Sequence, residues 1–306
     1  MKTYTKYPLL IAALGLTILG GCKKNSSKTD TTNNNNGGYV KTKYNTNSVT
    51  ATAVCDYNMD DTAMTNHGWT KAFDDEFSGD LTNWGAVTGG VQKELELNQP
   101  ANVQISNGVL TITAKKQTMT GPKTVGNDTT QSFDYTSGWL MGKATVMAGP
   151  STPKIRIVAR IKTAAGYGLS SLFYAFGTGD WPVNGEIDCM ENIGNDPKTY
   201  LTDYFYGSAA GKSVVTDGLM YDPTTADLST CYHVYITEWT QNSLTTYLDG
   251  NLVATTHGAY VSQLFGKPMH LSLSVPIGGL YYSAINTGDI QGGTMSVDYV
   301  KVFTSN

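Results

Sequence analysis

The residues Trp181-Pro182-Val183-Asn184-Gly185-Glu186-Ile187-Asp188-Cys189-Met190-Glu191 carry three acids within six positions, separated by apolar side chains. A β-strand sends successive side chains to opposite faces. Glu186 and Asp188 therefore share one face, and Ile187 and Cys189 share the other. Glu191 has the wrong parity for the acid face. One extra residue absorbed in a β-bulge restores it, and all three carboxyls then line one face above a core. With that residue absorbed, Glu186 and Glu191 stand about 13 Å apart along the backbone. Two glutamates leaning together can close this to about 5–5.5 Å, the spacing of a double-displacement glycosidase. Crowded carboxyls cannot all ionise, so one stays protonated near neutral pH and can serve as a general acid. Two other readings stand beside this one. The acids can form a solvated strand edge that deters aggregation, or a calcium site, since hard cations take clustered carboxylates.

Working outward, the same two-residue period recurs. Val103-Gln104-Ile105 and the run from Val109 to Ala114 flank Asn107-Gly108, a strong hairpin signal. Lys154 to Ile161, His233 to Thr237 and Leu244 to Leu248 alternate, the last ending in Asp249-Gly250-Asn251. His270 to Val275 and Ser296 to Phe303 complete the set. No long helical period and no internal repeat interrupts them, so the pattern predicts an all-β sandwich of antiparallel sheets. The chain has 306 residues, 40% hydrophobic and 15% charged, which suffices for one large core. Its 33 glycines and 19 tyrosines fit turns and strands. A net charge of −4, with no basic run longer than the pairs Lys23-Lys24 and Lys115-Lys116, argues against a nucleic-acid surface.

The N-terminus reads as a targeting segment. Lysines at 2 and 6 make a charged start before the apolar run from Leu9 to Leu19, too short to span a bilayer comfortably, which ends in Leu19-Gly20-Gly21-Cys22. That ending resembles a bacterial lipoprotein signal, in which Cys22 is lipidated and begins the mature chain. Residues 1–21 are then the signal peptide and 22–67 a polar tether, rich in Ser, Thr, Asn and Gly, that cannot bury enough apolar surface to order itself. The folded domain is expected over 68–306, at the cell envelope, as an outer-membrane lipoprotein and a monomer. Cys55, Cys189 and Cys231 remain, an odd number that allows at most one internal bridge. Their spacing against four histidines offers no zinc site.

The acid stretch resembles the active-site strand of glycoside hydrolase family 16, in the bulged form of its laminarinase-like members. The resemblance runs from about Trp69 to Thr304. It includes Phe73 to Phe77, Glu94-Leu95, Asn102-Val103, Tyr135 to Gly138, Arg160 to Lys162, Glu238-Trp239 and Val297 to Val302. It implies a β-jelly-roll of the concanavalin A-like kind with a concave substrate cleft. Glu186 would be the nucleophile, Glu191 the acid/base, and Asp188 the residue that tunes both. No cofactor is needed for this chemistry. The resemblance also implies a structural calcium away from the acids, with Glu76 and Asp298 as matching carboxylates.

The resemblance further suggests the substrate contacts. Trp181 takes the position that stacks on a sugar near the cleavage point. Arg156 matches a cleft arginine, and Asn102 is a similar candidate. Trp239 belongs either to the cleft wall or to the core, and Tyr204 and Tyr206 are candidates for the opposite wall. Two departures bear on specificity. Laminarinase-like members carry Gly-Leu-Trp-Pro-Ala-Phe-Trp where this chain has Gly168-Leu169-Ser170-Ser171-Leu172-Phe173-Tyr174, so one tryptophan is lost and Tyr174 replaces another. Members also tend to place a histidine before an aromatic-Gly pair, where this chain has Phe205-Tyr206-Gly207. Three functions follow: an endo-β-1,3- or β-1,3(1,4)-glucanase, the same chemistry on a galactan, agar-like polymer or host O-glycan, or a non-catalytic surface glycan-binding protein.

Overall fold

The computed structural model describes residues 50–214, 220–257, 260–282 and 285–306. The signal segment, Cys22 and most of the tether lie outside them. Two sheets form a sandwich. In chain order the strands are β1 (Thr70–Asp75), β2 (Trp84–Ala86), β3 (Glu96–Asn98), β4 (Val103–Ser106), β5 (Val109–Pro122), β6 (Thr130–Ser137), β7 (Trp139–Val146), β8 (Lys154–Lys162) and β9 (Ser170–Gly177). They continue with β10 (Glu186–Ile193), β11 (Thr199–Phe205), β12 (Met220–Pro223), β13 (His233–Thr240), β14 (Leu244–Leu248), β15 (Asn251–Thr256), β16 (Met269–Ser274) and β17 (Gly293–Ser305). One sheet runs β15-β14-β13-β8-β17-β5-β6-β3, with β1 against β17 and β4 against β5. The other runs β12-β11-β10-β9-β16-β7-β2. The named pairs are antiparallel except β3 with β6.

Alternation decides what each strand buries. On β8, Ile155, Ile157, Ala159 and Ile161 enter the inter-sheet core, while Arg156, Val158 and Arg160 point to the outer face of the larger sheet. On β10, Ile187, Cys189 and Met190 join the same core from the other side. Asn107 and Gly108 take positive φ (52° and 75°) at the tip of the β4–β5 hairpin, as the Asn-Gly step foretells.

The folded body begins before residue 68. Ala51 bridges Thr224, Val54 N–H donates to Asp249, and Arg160 donates to the Tyr57 carbonyl. Helix α1 (Asp61–Asn66), capped by the Asp60 side chain, lays Met64 beside Trp69 on the outer face of the larger sheet, against Val158, Ile236 and Phe303. Cys55 is bridged to Cys231, and Cys189 is a free thiol in the core. Residues 50–67 are thus a packed strap rather than the end of a tether. Their polar composition hid a few anchors (Met64, Tyr57, Cys55) that suffice once a sheet is present to receive them. Among the described residues no helix is long and apolar enough to cross a membrane.

The expected calcium carboxylates do not converge. Glu76 pairs with Lys301 at 2.7 Å and Asp298 with Arg160 at 2.7 Å. Each is neutralised by a cation on its own sheet face, and among the described residues no group of three or more His, Cys, Asp or Glu side chains gathers into a metal site.

Candidate active site

β10 lies inside the smaller sheet, between β9 and β11. It enters from Gly185, whose φ of +82° and close neighbours leave no room for a side chain: a Cβ there would meet Leu264 and Met269 at 2.7 Å. The register with β9 pairs Glu186 with Phe176 and Asp188 with Tyr174, then slips between Asp188 and Met190, so that Glu191 faces Leu172. The slip is the bulge that the spacing demands. Cys189 and Met190 both turn into the core, and Glu186, Asp188 and Glu191 emerge together on the outer face of the sheet.

Each glutamate has its own donor. The Trp181 indole N–H donates to Glu186, and the Tyr281 hydroxyl donates to Glu191. Both Asp188 oxygens are buried without a donor among the described residues. An ionised carboxylate is costly in that position, so the proton held there can be donated toward Glu186. Burial pushes Glu186 up to about 8, with the Glu191 charge adding to the rise while the Trp181 and Asp188 hydrogen bonds oppose it. Burial likewise lifts Glu191 to about 7 against the pull of Tyr281. Asp188 is held well above the carboxylate range, by burial first and then by the charges of Glu191, Glu186 and Asp203. The three share protons as one unit, and the titration steps belong to the set. Such a set can keep one carboxyl protonated and another ionised near neutral pH, which is what paired acid and nucleophile chemistry needs.

Two apolar clusters flank the acids. Trp181 packs with Phe205 (ring centroids 5.5 Å apart), Phe176, Tyr174, Leu172 and Met141 at one end. Ile193, Leu201 and Tyr282, with Tyr167 and Tyr281, form the other. Trp181 and Tyr174 are therefore beside the acids, as expected from the sequence.

The five other candidate contacts lie elsewhere. Arg156 is on the outer face of the opposite sheet, paired with Glu238 at 2.9 Å and stacked on Trp69; its parity against Ile155 and Ile157 puts it there. Trp239 is fully buried in the core. Tyr204 and Tyr206 alternate out of phase with the acids and pack against the core, so the register pairs Phe205 with Glu186 and Asp203 with Asp188 instead. Asn102 is nearly sealed and spends its amide on Gln99, the Thr113 carbonyl and Thr136. Sequence reasoning missed Tyr281, Phe205 and Phe176. Phe205 and Phe176 follow once the antiparallel register around Glu186 is known. Tyr281 carries no local signal, because it reaches the site through the turn at Gly278 and Gly279, both at positive φ.

The sequence profile described as "Glycosyl hydrolases family 16" matches residues 92–301, most of the described sandwich. The chain belongs to that family. Relatives of this family 16 chain include a glucan endo-1,3-beta-glucosidase A1 from Niallia circulans, 25% identical over 77% of this chain and 38% of its own length. A keratan-sulfate endo-1,4-beta-galactosidase from Sphingobacterium multivorum is 24% identical over 98% of this chain and 67% of that protein. The chain thus spans well under half of the first of these relatives. Among solved structures, an endo-beta-1,3-glucanase from Pyrococcus furiosus superposes with a TM-score of 0.63 at 27% identity, covering 78% of this chain and 95% of that one.

Proposed function

We propose that the chain is a retaining, endo-acting hydrolase of a β-linked polysaccharide, and most simply of β-1,3- or mixed β-1,3(1,4)-glucan. The observation that carries this is the bulge in β10, which brings Glu186, Asp188 and Glu191 to one face with a separate donor on each glutamate. In the first step, from the state of the coupled set in which the shared proton sits on Glu191, the Glu186 carboxylate attacks the anomeric carbon while Glu191 gives that proton to the departing glycosidic oxygen. In the second, Glu191 takes a proton from water, and that water displaces Glu186 from the sugar. Asp188 tunes the pair by holding or passing a proton beside Glu186. The site face, with Trp181, Tyr174, Phe176 and Phe205 beside the acids, suits stacking of sugar rings. The names of the relatives from Niallia circulans and Pyrococcus furiosus support the glucan reading.

A second substrate, a galactan or host glycan cut by the same residues, is favoured by the galactosidase relative, which alone of those described matches 98% of the chain. Ser170 and Tyr174, standing where laminarinase-like members carry tryptophan, leave more room on β9 for an axial hydroxyl or a branch. The Leu-Gly-Gly-Cys ending supports a lipid anchor at Cys22 and a place in the cell envelope. Incubation with laminarin, lichenan, agarose and mucin-type glycans, with product sizing and an NMR time course of the new reducing end, tests the reading. Oligosaccharides born in the β configuration are expected. Initial α product would overturn the mechanism, and no product from any polymer would overturn the hydrolase.

A further inference from the structure

We propose that a small pocket beside the acids, built on Glu94, Glu96 and the ring of Trp139, binds the uncharged hydroxymethyl arm of a hexose and excludes its carboxylated or sulfated counterparts. The proposal rests on the reading of the chain as a β-glycan hydrolase and adds the chemistry of the ring that it accepts.

The pocket has a volume of about 40 Å³ and is lined by Trp139, Tyr174 and Leu172 together with Glu94, Glu96 and Asn98. One water needs about 10–15 Å³ of such space. The pocket therefore holds about three waters or one hydroxymethyl group, and it is too small for a whole ring. Two of its walls belong to the site already described: Tyr174 stands opposite Asp188 and Leu172 opposite Glu191 across the β9–β10 pair. A ring seated over Tyr174 reaches the acids on one side and the pocket on the other. The Trp139 plate is held still, because its indole N–H donates to Ser272 at 2.7 Å.

Glu96 supplies the polar end. It is fully buried on β3, and its Oε2 accepts the Ile277 N–H at 2.9 Å. Its Oε1 is sealed from solvent and has no partner among the described residues apart from the neighbouring carboxyl. That neighbour is Glu94, which burial, the Glu96 charge and a hydrogen bond to Glu96 hold well above the carboxylate range; burial raises Glu96 as well, against the pull of Glu94 and the Ile277 N–H. Backbone contacts of Glu94 with Gly278 and of Lys93 with Gly279 fix the pair to the turn that carries Tyr281. A carboxylic acid beside a carboxylate offers both a donor and acceptors within one small pocket. The hydroxymethyl group matches it: its CH2 lies on the Trp139 ring, and its hydroxyl both gives and accepts a hydrogen bond. A carboxylate or sulfate ester on the same carbon brings another negative charge into a confined pocket that already holds a carboxyl pair and adjoins three more acids. Among the described residues that line the pocket there is no cation to offset its desolvation.

The test uses native gels containing laminarin or agarose, each in its neutral form and after oxidation of its hydroxymethyl groups to carboxylates. The protein is the Glu186→Gln variant, so that nothing is consumed, with and without Glu96→Gln, which keeps an acceptor for Ile277 while removing the charge. Glu94→Gln, which keeps a donor toward Glu96, controls for folding. We expect the neutral form of at least one polymer to bind at least tenfold more tightly than its oxidised form, and Glu96→Gln to shrink that ratio at least threefold without lowering the melting temperature. Equal binding of neutral and oxidised polymer, a ratio untouched by Glu96→Gln, or no binding of either neutral polymer would overturn the pocket. Absence of hydrolysis by the unmutated chain, with selective binding intact, would instead overturn the hydrolase reading.

Discussion

Replacing Glu186 by Gln should stabilise the fold in alkali, leave it unchanged in acid, and abolish turnover. Burial raises this carboxyl from 4.5 to about 8 in the folded chain. Between those values the folded state keeps a proton that the unfolded state releases, so stability falls as pH rises through the window. Below about 4.5 the group costs nothing, and above about 8 the loss is complete. At about 1.4 kcal/mol for each pH step, the full difference caps the cost at about 5 kcal/mol. Glu186 is only half-buried, and it shares its proton with Asp188 and Glu191. Solvent screening and redistribution within the set leave about 1–2 kcal/mol. Gln keeps an acceptor for the Trp181 indole, so no hydrogen bond is orphaned. For a folded body of this size that gain is a rise of about 2–6 °C in melting temperature. Calorimetry of both proteins at pH 4, 6 and 9 checks it. A variant less stable than the parent at pH 9, or a difference that is the same at every pH, would refute the argument that the acids are held together against their own electrostatics.

Three further outcomes follow from particular contacts. Tyr281→Phe removes the donor that holds Glu191 down near 7; the alkaline limb of kcat/KM on the best polymer should move up by about one pH step or more, and an unmoved limb would show that Tyr281 does not govern this carboxyl. Cys55→Ser opens a bridge spanning 176 residues, for which chain entropy alone gives about 5 kcal/mol; because the strap keeps its bonds to Asp249 and Arg160, a loss of about 2–4 kcal/mol is expected in denaturant titration, and an unchanged midpoint would mean the strap is held without the bridge. Cys22→Ser should move the protein from the membrane fraction to the soluble one, since stable anchoring takes more than one acyl chain; continued detergent-dependent partitioning would place the anchor elsewhere.

The spacing of Glu186, Asp188 and Glu191 by itself determined that a bulge must intervene if the three are to share a face, and alternation elsewhere determined a sandwich of short antiparallel strands. Both are local properties, because the two-residue period of a strand is written in adjacent residues. The same alternation sets Arg156 on the face opposite Ile155 and Ile157 and so away from the acids, whereas Tyr204 and Tyr206 are turned to the core by the β10–β11 register. What only the tertiary structure decided depends on residues far apart in the chain. Phe205 stands beside Glu186 because of the β10–β11 register. Tyr281 reaches Glu191 across a separation of 90 residues through the glycine turn at Gly278 and Gly279. The strap from Thr50 to His67 reads as polar tether until a sheet face is there to take Met64 and Trp69. Glu76 and Asp298 look like ligands in sequence and become ion-pair partners in space, because the folded sheets bring Lys301 to 2.7 Å from Glu76 and Arg160 to 2.7 Å from Asp298. Long-range register and charge pairing are properties of the assembled sheets, and no window of sequence contains them.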